Sequence, residues 1–334
     1  MQIHVENLVS ALKYFESVGA YEAFLSPDLT GEVGLLAEFP TGRARVAVGF
    51  GACAALILPD LPKALQSIEG AASIVEATTE AGFLELDGAG VLSRHTEKIP
   101  PYDMLLEGPQ CLLKDFTARI APVAYTMGAE AVNKQVNGVL VETQDPWLQY
   151  VATNRRRLAR INYPDPPPAV PSFMIQRDFV EGLKLFDCGA AAAVTLDNGR
   201  VRVEAGDFVG VADALPKFPD YRQAIPAESG SFGVLNKEQT LKFLDNIKEV
   251  NTGCTFVVTS LELLIQSQEA GEVSVPMHGP DKSFTFRLSP KQFFEAVANA
   301  PGEQASLYFD FLQHEQPLLI LSGNYEAVVM PYRS

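Results

Sequence analysis

The sequence predicts an α+β protein in which one unit, two helices packed on antiparallel strands, is repeated three times. Three observations carry this prediction. A basic residue opens a helix pattern at Lys63, Arg177 and Lys291, which recur at intervals of 114 residues. An apolar-Pro pair followed closely by tyrosine closes each unit, as Ile99-Pro100-Pro101-Tyr102, Phe218-Pro219-Asp220-Tyr221 and Met330-Pro331-Tyr332. Between the helix patterns the hydrophobic period drops to two, which is the period of a half-buried strand. The units are expected at residues 1–105, 106–226 and 227–334, each with two helices on one face of antiparallel strands.

Each unit opens with a helix pattern. Leu8, Leu12 and Phe15 form the apolar stripe in the first unit, and Leu112, Phe116, Ile120 and Val123 form it in the second. In the third, Asn236 and Gln239 have capping-box spacing and Phe243, Ile247 and Val250 follow at i, i+4, i+7. Extended segments come next: Val201-Arg202-Val203-Glu204 alternates, while Thr255–Ser260 and Phe284–Leu288 are β-branched or aromatic runs. Ser289 with Gln292 caps the later helix of the third unit, with Pro290 at the first helical position, where a missing N–H costs nothing.

A chain of 334 residues exceeds one ordinary core, so two or three domains are expected. With 47% hydrophobic and 20% charged residues the composition is globular, and no apolar run approaches a membrane span. The start Met1-Gln2-Ile3-His4-Val5-Glu6 lacks a signal-peptide pattern, so a cytoplasmic location is expected. Cys53, Cys111, Cys188 and Cys254 form no C-x-x-C pair, and His4, His95, His278 and His314 do not cluster with them, so neither metal nor cofactor is expected. No Walker A loop, G-x-G-x-x-G, H-E-x-x-H or G-x-S-x-G occurs, and Ala54 stands where Gly49-Phe50-Gly51 would need its third glycine. An enzyme is therefore not expected.

The net charge of −15 argues against nucleic acid as a partner unless the charges are segregated. The helix patterns leave Lys13, Lys63, Lys114, Arg119, Arg177, Lys184, Lys237, Lys242, Lys248 and Lys291 on their polar faces, while much of the acidic excess falls in strands and loops. Lysines on a polar helix face are ordinarily just solvated. Yet Lys63, Arg177, Lys237 and Lys291 fall in first turns, where the helix dipole disfavours a cation, and that recurrence points to an external phosphate.

Several segments, in order and spacing, resemble the β sliding clamp of bacterial DNA polymerase III. They are Val136–Thr143 with Val151–Ala159, then Gly206-Asp207-Phe208, then Lys217–Pro226, and finally Tyr325–Arg333. The resemblance covers the second and third units directly and the first mainly through the repeat. It implies a three-domain subunit that dimerises head to tail into a six-domain ring, with strands outside and helices lining a hole for double-stranded DNA. It also implies a processivity factor that performs no chemistry and holds a DNA polymerase and a clamp loader by short Gln-Leu-x-Leu-Phe-like peptides. By position the peptide groove would comprise Val136, Thr153, Arg157, Leu158, Pro219, Gln223, Ala224, Val329, Met330, Pro331, Tyr332 and Arg333, with Arg157 and Arg333 at its rim. The DNA-facing set would be Lys13, Lys63, Lys114, Lys134, Arg177, Lys184, Lys237 and Lys291.

The chain departs from the family pattern in ways that bear on the groove. Asn154-Arg155-Arg156 replaces the usual Asp-Gly-His, making the rim more basic, Gln223 stands where a basic residue is common, and Ser334 ends the chain. These departures suit a divergent or phage-borne member. The competing expectation is a protein-interaction scaffold on the same fold that keeps the groove without binding DNA.

Overall fold

Hydrophobic alternation and helix stripes are realised as six helices and twenty-five strands among the described residues of a computed structural model. It describes residues 2–27, 32–50, 56–68, 74–80, 83–86, 89–92, 94–95, 104, 106–128, 134–144, 146–164, 171–186, 191–213, 217–226, 231–250, 252–281, 283–309 and 317–332, excepting the side chains of 56–57, 74–95, 134, 231–232 and 309. The chain begins with β1 (Gln2–His4), α1 (Val5–Ser17), β2 (Ala23–Pro27), β3 (Glu32–Phe39), β4 (Gly42–Phe50), β5 (Leu56–Leu58), α2 (Leu61–Ile68), β6 (Ile74–Glu80), β7 (Phe83–Leu86), β8 (Ala89–Leu92) and β9 (Arg94–His95). It continues with β10 (Gln110–Leu113), α3 (Phe116–Ala124), β11 (Gly138–Gln144), β12 (Trp147–Thr153), β13 (Arg157–Tyr163), β14 (Phe173–Gln176), α4 (Arg177–Phe186), β15 (Ala192–Asp197), β16 (Arg200–Ala205) and β17 (Phe208–Asp213). It ends with β18 (Ser231–Asn236), α5 (Lys237–Leu244), β19 (Cys254–Val258), β20 (Glu262–Ser267), β21 (Gly271–Pro276), β22 (Phe284–Leu288), α6 (Pro290–Asn299), β23 (Gln304–Phe309), β24 (Leu318–Ser322) and β25 (Tyr325–Val329).

Two compact units emerge, the first formed by residues 1–117, 168–170 and 175–214 and the second by 118–167, 171–174 and 215–334. The first holds a thirteen-stranded sheet with the path β10-β15-β16-β17-β4-β1-β6-β7-β8, from which β3, β2, β5 and β9 branch. The second holds an eight-stranded sheet, β14-β11-β12-β13-β25-β24-β23-β18, and a four-stranded sheet, β21-β20-β19-β22. The division into two has a physical cause. Strand β17 pairs with β4 from Phe208↔Val46 to Val211↔Arg43, and β13 pairs with β25 from Arg157↔Val329 to Ile161↔Tyr325. Continuous hydrogen-bonded ladders thus run through the places where the repeat would be cut.

The core of the first unit gathers around Tyr14. Its ring makes edge contacts with Phe39, Phe186 and Phe208 at 5.8–6.2 Å, and its hydroxyl donates to the Asp178 carbonyl at 3.1 Å. Such aromatic pairs add about 0.5–1.5 kcal/mol each beyond area burial. Leu8, Leu12 and Phe15 of α1 are buried, as the stripe predicts.

Both caps in the third unit are present: the Asn236 side chain accepts from the Gln239 N–H at 3.0 Å and Ser289 from the Gln292 N–H at 3.4 Å, with Pro290 at the start of α6. Two stripes need correction. Leu112 lies in β10 and is exposed, because Gln110–Leu113 alternates exposed and buried as an edge strand. In α5 the buried residues are Thr240 and Leu244, followed by Ile247 in the turn beyond the helix, while Phe243 is exposed.

Candidate functional site

The eight-stranded sheet of the second unit carries an apolar face whose make-up follows from register. Tyr308, Leu319, Val328, Leu158 and Thr153 stand opposite one another across β23, β24, β25, β13 and β12. One step along, Leu321, Glu326, Arg160, Val151 and Leu140 form the next row. Successive side chains alternate faces on a strand, so each row belongs to the same side of the sheet. Leu140, Val151, Leu158, Met174, Phe218, Tyr221, Leu319 and Val328 are buried as one cluster, with Ile225, Tyr308, Leu321 and Met330 half-buried against it. Phe218 and Tyr221 pack edge to face at 6.1 Å. Complete burial of side chains of this size contributes about 1.5–3 kcal/mol each.

The face is not purely apolar. Arg160 donates to both carboxylate oxygens of Glu326 at 2.6 Å, and both side chains are only 18% exposed. Such a pair holds its position because either partner alone would be a poorly solvated charge. The Tyr221 hydroxyl donates to the Glu142 carboxylate, to which Arg222 also donates at 2.8 Å. Burial, then the carboxylate beside it, pushes the Tyr221 phenol well above its ordinary range.

Arg157 points away from this face. Its guanidinium donates to the Tyr125 carbonyl at 2.7 Å, lies 5.1 Å from the Tyr125 ring centre and pairs with Glu295. Tyr125 and Tyr325 share a hydrogen bond of 2.8 Å between hydroxyls, and Tyr325 also lies 3.1 Å from the Ala296 carbonyl that accepts from it. Burial pushes the Tyr125 phenol up to about 12 and the Tyr325 phenol well above its usual value, and it pulls the Arg157 guanidinium down. The expected rim position of Arg157 is therefore corrected: its side chain is 14% exposed and internally paired. The reason is strand alternation, since Arg157 and Leu158 cannot share a face.

Of the other expected groove residues, Leu158 and Met330 belong to the cluster. Pro219, half-buried, lies between the cluster members Phe218 and Tyr221, and the exposed Gln223 and Ala224 follow in the same segment, Gln223 paired with Asp220 at 2.8 Å. Thr153 is buried in the β12–β13 turn. Val329 is buried on the Arg157 side of β25, and the buried Val136 carbonyl accepts from the Gly128 N–H. Pro331 is half-buried, and Arg333 falls outside the described residues.

Tyr332 turns to a different neighbour. Its N–H donates to the Arg287 carbonyl at 2.8 Å and its ring lies against Gly253, where a Cβ would come within 2.4 Å of it. The cluster also takes in Leu140, Val151, Met174, Tyr308, Leu319 and Leu321, which were not among the expected groove residues. Val151–Leu158 and Val328–Met330 alternation could have marked part of that face, but the cross-strand register could not be read from sequence.

The helix cations are dispersed among acids. Lys63 pairs with Asp60 at 2.7 Å, Lys184 with Glu181 at 3.2 Å and Lys291 with Glu249 at 3.2 Å, while Lys237 donates to the Ala300 carbonyl at 2.5 Å. Lys242 and Lys248 pair with Glu238 and Asp245. Arg177 is half-buried, Lys13 is exposed on α1, and the Lys134 side chain lies outside the described residues. Two expectations are corrected. Lys114 sits in the turn between β10 and α3, and Arg119 folds over the Tyr163 ring at 4.6 Å instead of pointing to solvent. The interval of 114 also does not mark equivalent positions, because Lys63, Arg177 and Lys291 are the third, first and second residues of their helices. Internal partners account for Lys63, Lys237 and Lys291 in first turns, so dipole cost alone does not require an outside phosphate.

No family model matches the chain. The beta sliding clamps of Salmonella typhimurium and Escherichia coli K12 are each 28% identical to it over 123 residues, 35% of this chain and 32% of theirs. The matched region spans about a third of the length of those relatives. Among solved structures, the DNA polymerase III beta subunit of Thermotoga maritima superposes with a TM-score of 0.84 at 16% identity, covering 100% of this chain and 99% of its own. The beta subunit of Pseudomonas aeruginosa gives 0.77 at 16%, and the sliding clamp of Bartonella birtlesii bound to griselimycin gives 0.81 at 14%, with the same coverage of both chains. At these identities the structures establish the fold. The chain thus shares the fold of these beta subunits end to end and is similar in sequence to curated beta sliding clamps over 123 residues.

Proposed function

We propose that this protein is a DNA sliding clamp, a subunit that closes head to tail with a second copy into a ring around double-stranded DNA and tethers a DNA polymerase, performing no chemistry. The observation that carries this reading is the correspondence of the complete chain, not of one unit, to DNA polymerase III beta subunits. Its organisation would be three clamp domains at 1–105, 106–226 and 227–334, and its location the cytoplasm. Strands β8 and β21 end their sheets, which supplies edges for pairing between copies. DNA binding would be sequence-independent, through exposed cations such as Lys13, Lys63 and Lys114. Polymerase and loader peptides would place apolar anchors against Leu158, Ile225, Tyr308, Leu321 and Met330.

The test is polymerase stimulation on a primed single-stranded circle. Charge reversal at Lys63, Arg177 and Lys291 together is expected to reduce stimulation at least tenfold at moderate salt, since each lost phosphate contact weakens binding. Unchanged stimulation would remove these residues from the DNA-facing set. Deletion of Met330–Ser334 is expected to abolish peptide binding, and retained full binding would place the groove elsewhere.

A further inference from the structure

We propose that the β12–β13 turn selects partner segments carrying acidic side chains beside their apolar anchors, through Arg155 and Arg156. This deepens the peptide-binding reading above and rests on it.

The turn is built to hold two arginines at the edge of the apolar face. Arg155 has φ +71°, a left-handed conformation that favours glycine and costs a side-chain-bearing residue about 1–2 kcal/mol. The rest of the turn holds it there. Thr153 Oγ1 accepts from the Arg155 N–H at 3.1 Å and donates to the Arg157 carbonyl at 2.8 Å. Asn154 Oδ1 accepts from the N–H groups of Arg156 and Arg157, both at 3.0 Å. An arginine kept at a position that opposes it, in a turn fixed by side-chain hydrogen bonds, marks a functional side chain. The turn is also joined to the chain end, because the Arg156 carbonyl accepts from the Met330 N–H at 3.0 Å. Both arginine side chains are exposed, and Met330 is half-buried against the cluster. Arg287, exposed as well, holds the same terminal segment through its carbonyl and the Tyr332 N–H.

Charge gives the pair its selectivity. The chain carries −15 overall, so an acidic segment approaching it is repelled unless cations stand at the point of contact. Arg157, the third arginine of the run, is only 14% exposed and pairs with Glu295 and the Tyr125 carbonyl, whereas Arg155 and Arg156 are exposed. A carboxylate on the partner, next to an apolar residue seated by Leu158 and Met330, would meet a positive edge already in place.

The experiment is fluorescence anisotropy with the full chain and two labelled Gln-Leu-x-Leu-Phe peptides, one flanked by aspartates and one by asparagines. The acidic peptide is expected to bind about tenfold more tightly at low salt, with the ratio shrinking toward one as salt screens the pair. Arg156→Glu is expected to reverse the preference, and Arg156→Ala, which leaves the backbone hydrogen bonds of the turn in place, to bring the ratio within about twofold of one. Equal binding of both peptides by the unmodified chain, or the unmodified preference persisting in Arg156→Glu, overturns this inference and leaves the groove intact. Binding of neither peptide overturns the groove itself and this inference with it.

Discussion

Gly182 in α4 shows how closely the aromatic core is fitted. A Cβ there would stand 2.5 Å from Phe208 Cε2 and 3.0 Å from Tyr14 Cζ, so Gly182→Ala is expected to cost about 1–3 kcal/mol in urea unfolding by forcing rings off their minima. The buried tyrosines supply a second residue-level outcome. Tyr125 is held neutral up to about 12, with Tyr14, Tyr221 and Tyr325 shifted the same way, whereas the unfolded phenols ionise near the ordinary 10.0. Between those values the unfolded state has released protons that the folded state keeps, so stability is full below the lower value and falls as pH rises toward the upper. Urea midpoints measured across that alkaline window are expected to drop, and Tyr125→Phe to lessen the drop; a flat profile would contradict the burial. None of this was legible in the sequence, because Tyr125, Tyr221 and Tyr325 meet their partners through contacts 29 to 200 residues apart in the chain.

At the scale of elements, the features read correctly from sequence were those fixed by near neighbours. Asn236 with Gln239 and Ser289 with Gln292 lie three residues apart, and both caps form. The misread features depend on distant neighbours. Leu112 fits a helix stripe equally well as text, and only pairing of β10 with β15 makes it a strand residue. Phe243 has helix-core spacing but loses its place to Thr240 and Leu244. The Arg160–Glu326 pair likewise exists only because β13 and β25 lie in that register. Removing one partner strands a mostly buried charge, so Arg160→Leu is expected to cost about 2–4 kcal/mol, and the double change with Glu326→Leu to recover most of it. A double change as unstable as Arg160→Leu alone, by chemical denaturation, would show that the pair itself stabilises the ladder.

For the whole molecule, the α+β class of helices packed with antiparallel strands was the part of the fold that sequence conveyed best, whereas the 114-residue interval did not mark equivalent helix positions. First-turn cations conveyed less: the helix dipole disfavours them and their recurrence pointed to phosphate, but Asp60, the Ala300 carbonyl and Glu249 engage three of them. Exposed ion pairs exchange with solvent at little cost, so Lys63 and Lys291 would remain available to phosphate, and a ring would hold DNA by topology with only weak attraction. The central claim is therefore best tested by retention on covalently closed circular DNA, using purified protein loaded by a compatible clamp loader and separated from free protein by gel filtration. The protein is expected to stay with the circle at high salt and to leave within minutes once one restriction cut linearises it. Salt-labile association that is the same on circular and linear DNA would contradict the ring, and no association with either would favour a scaffold that has left DNA.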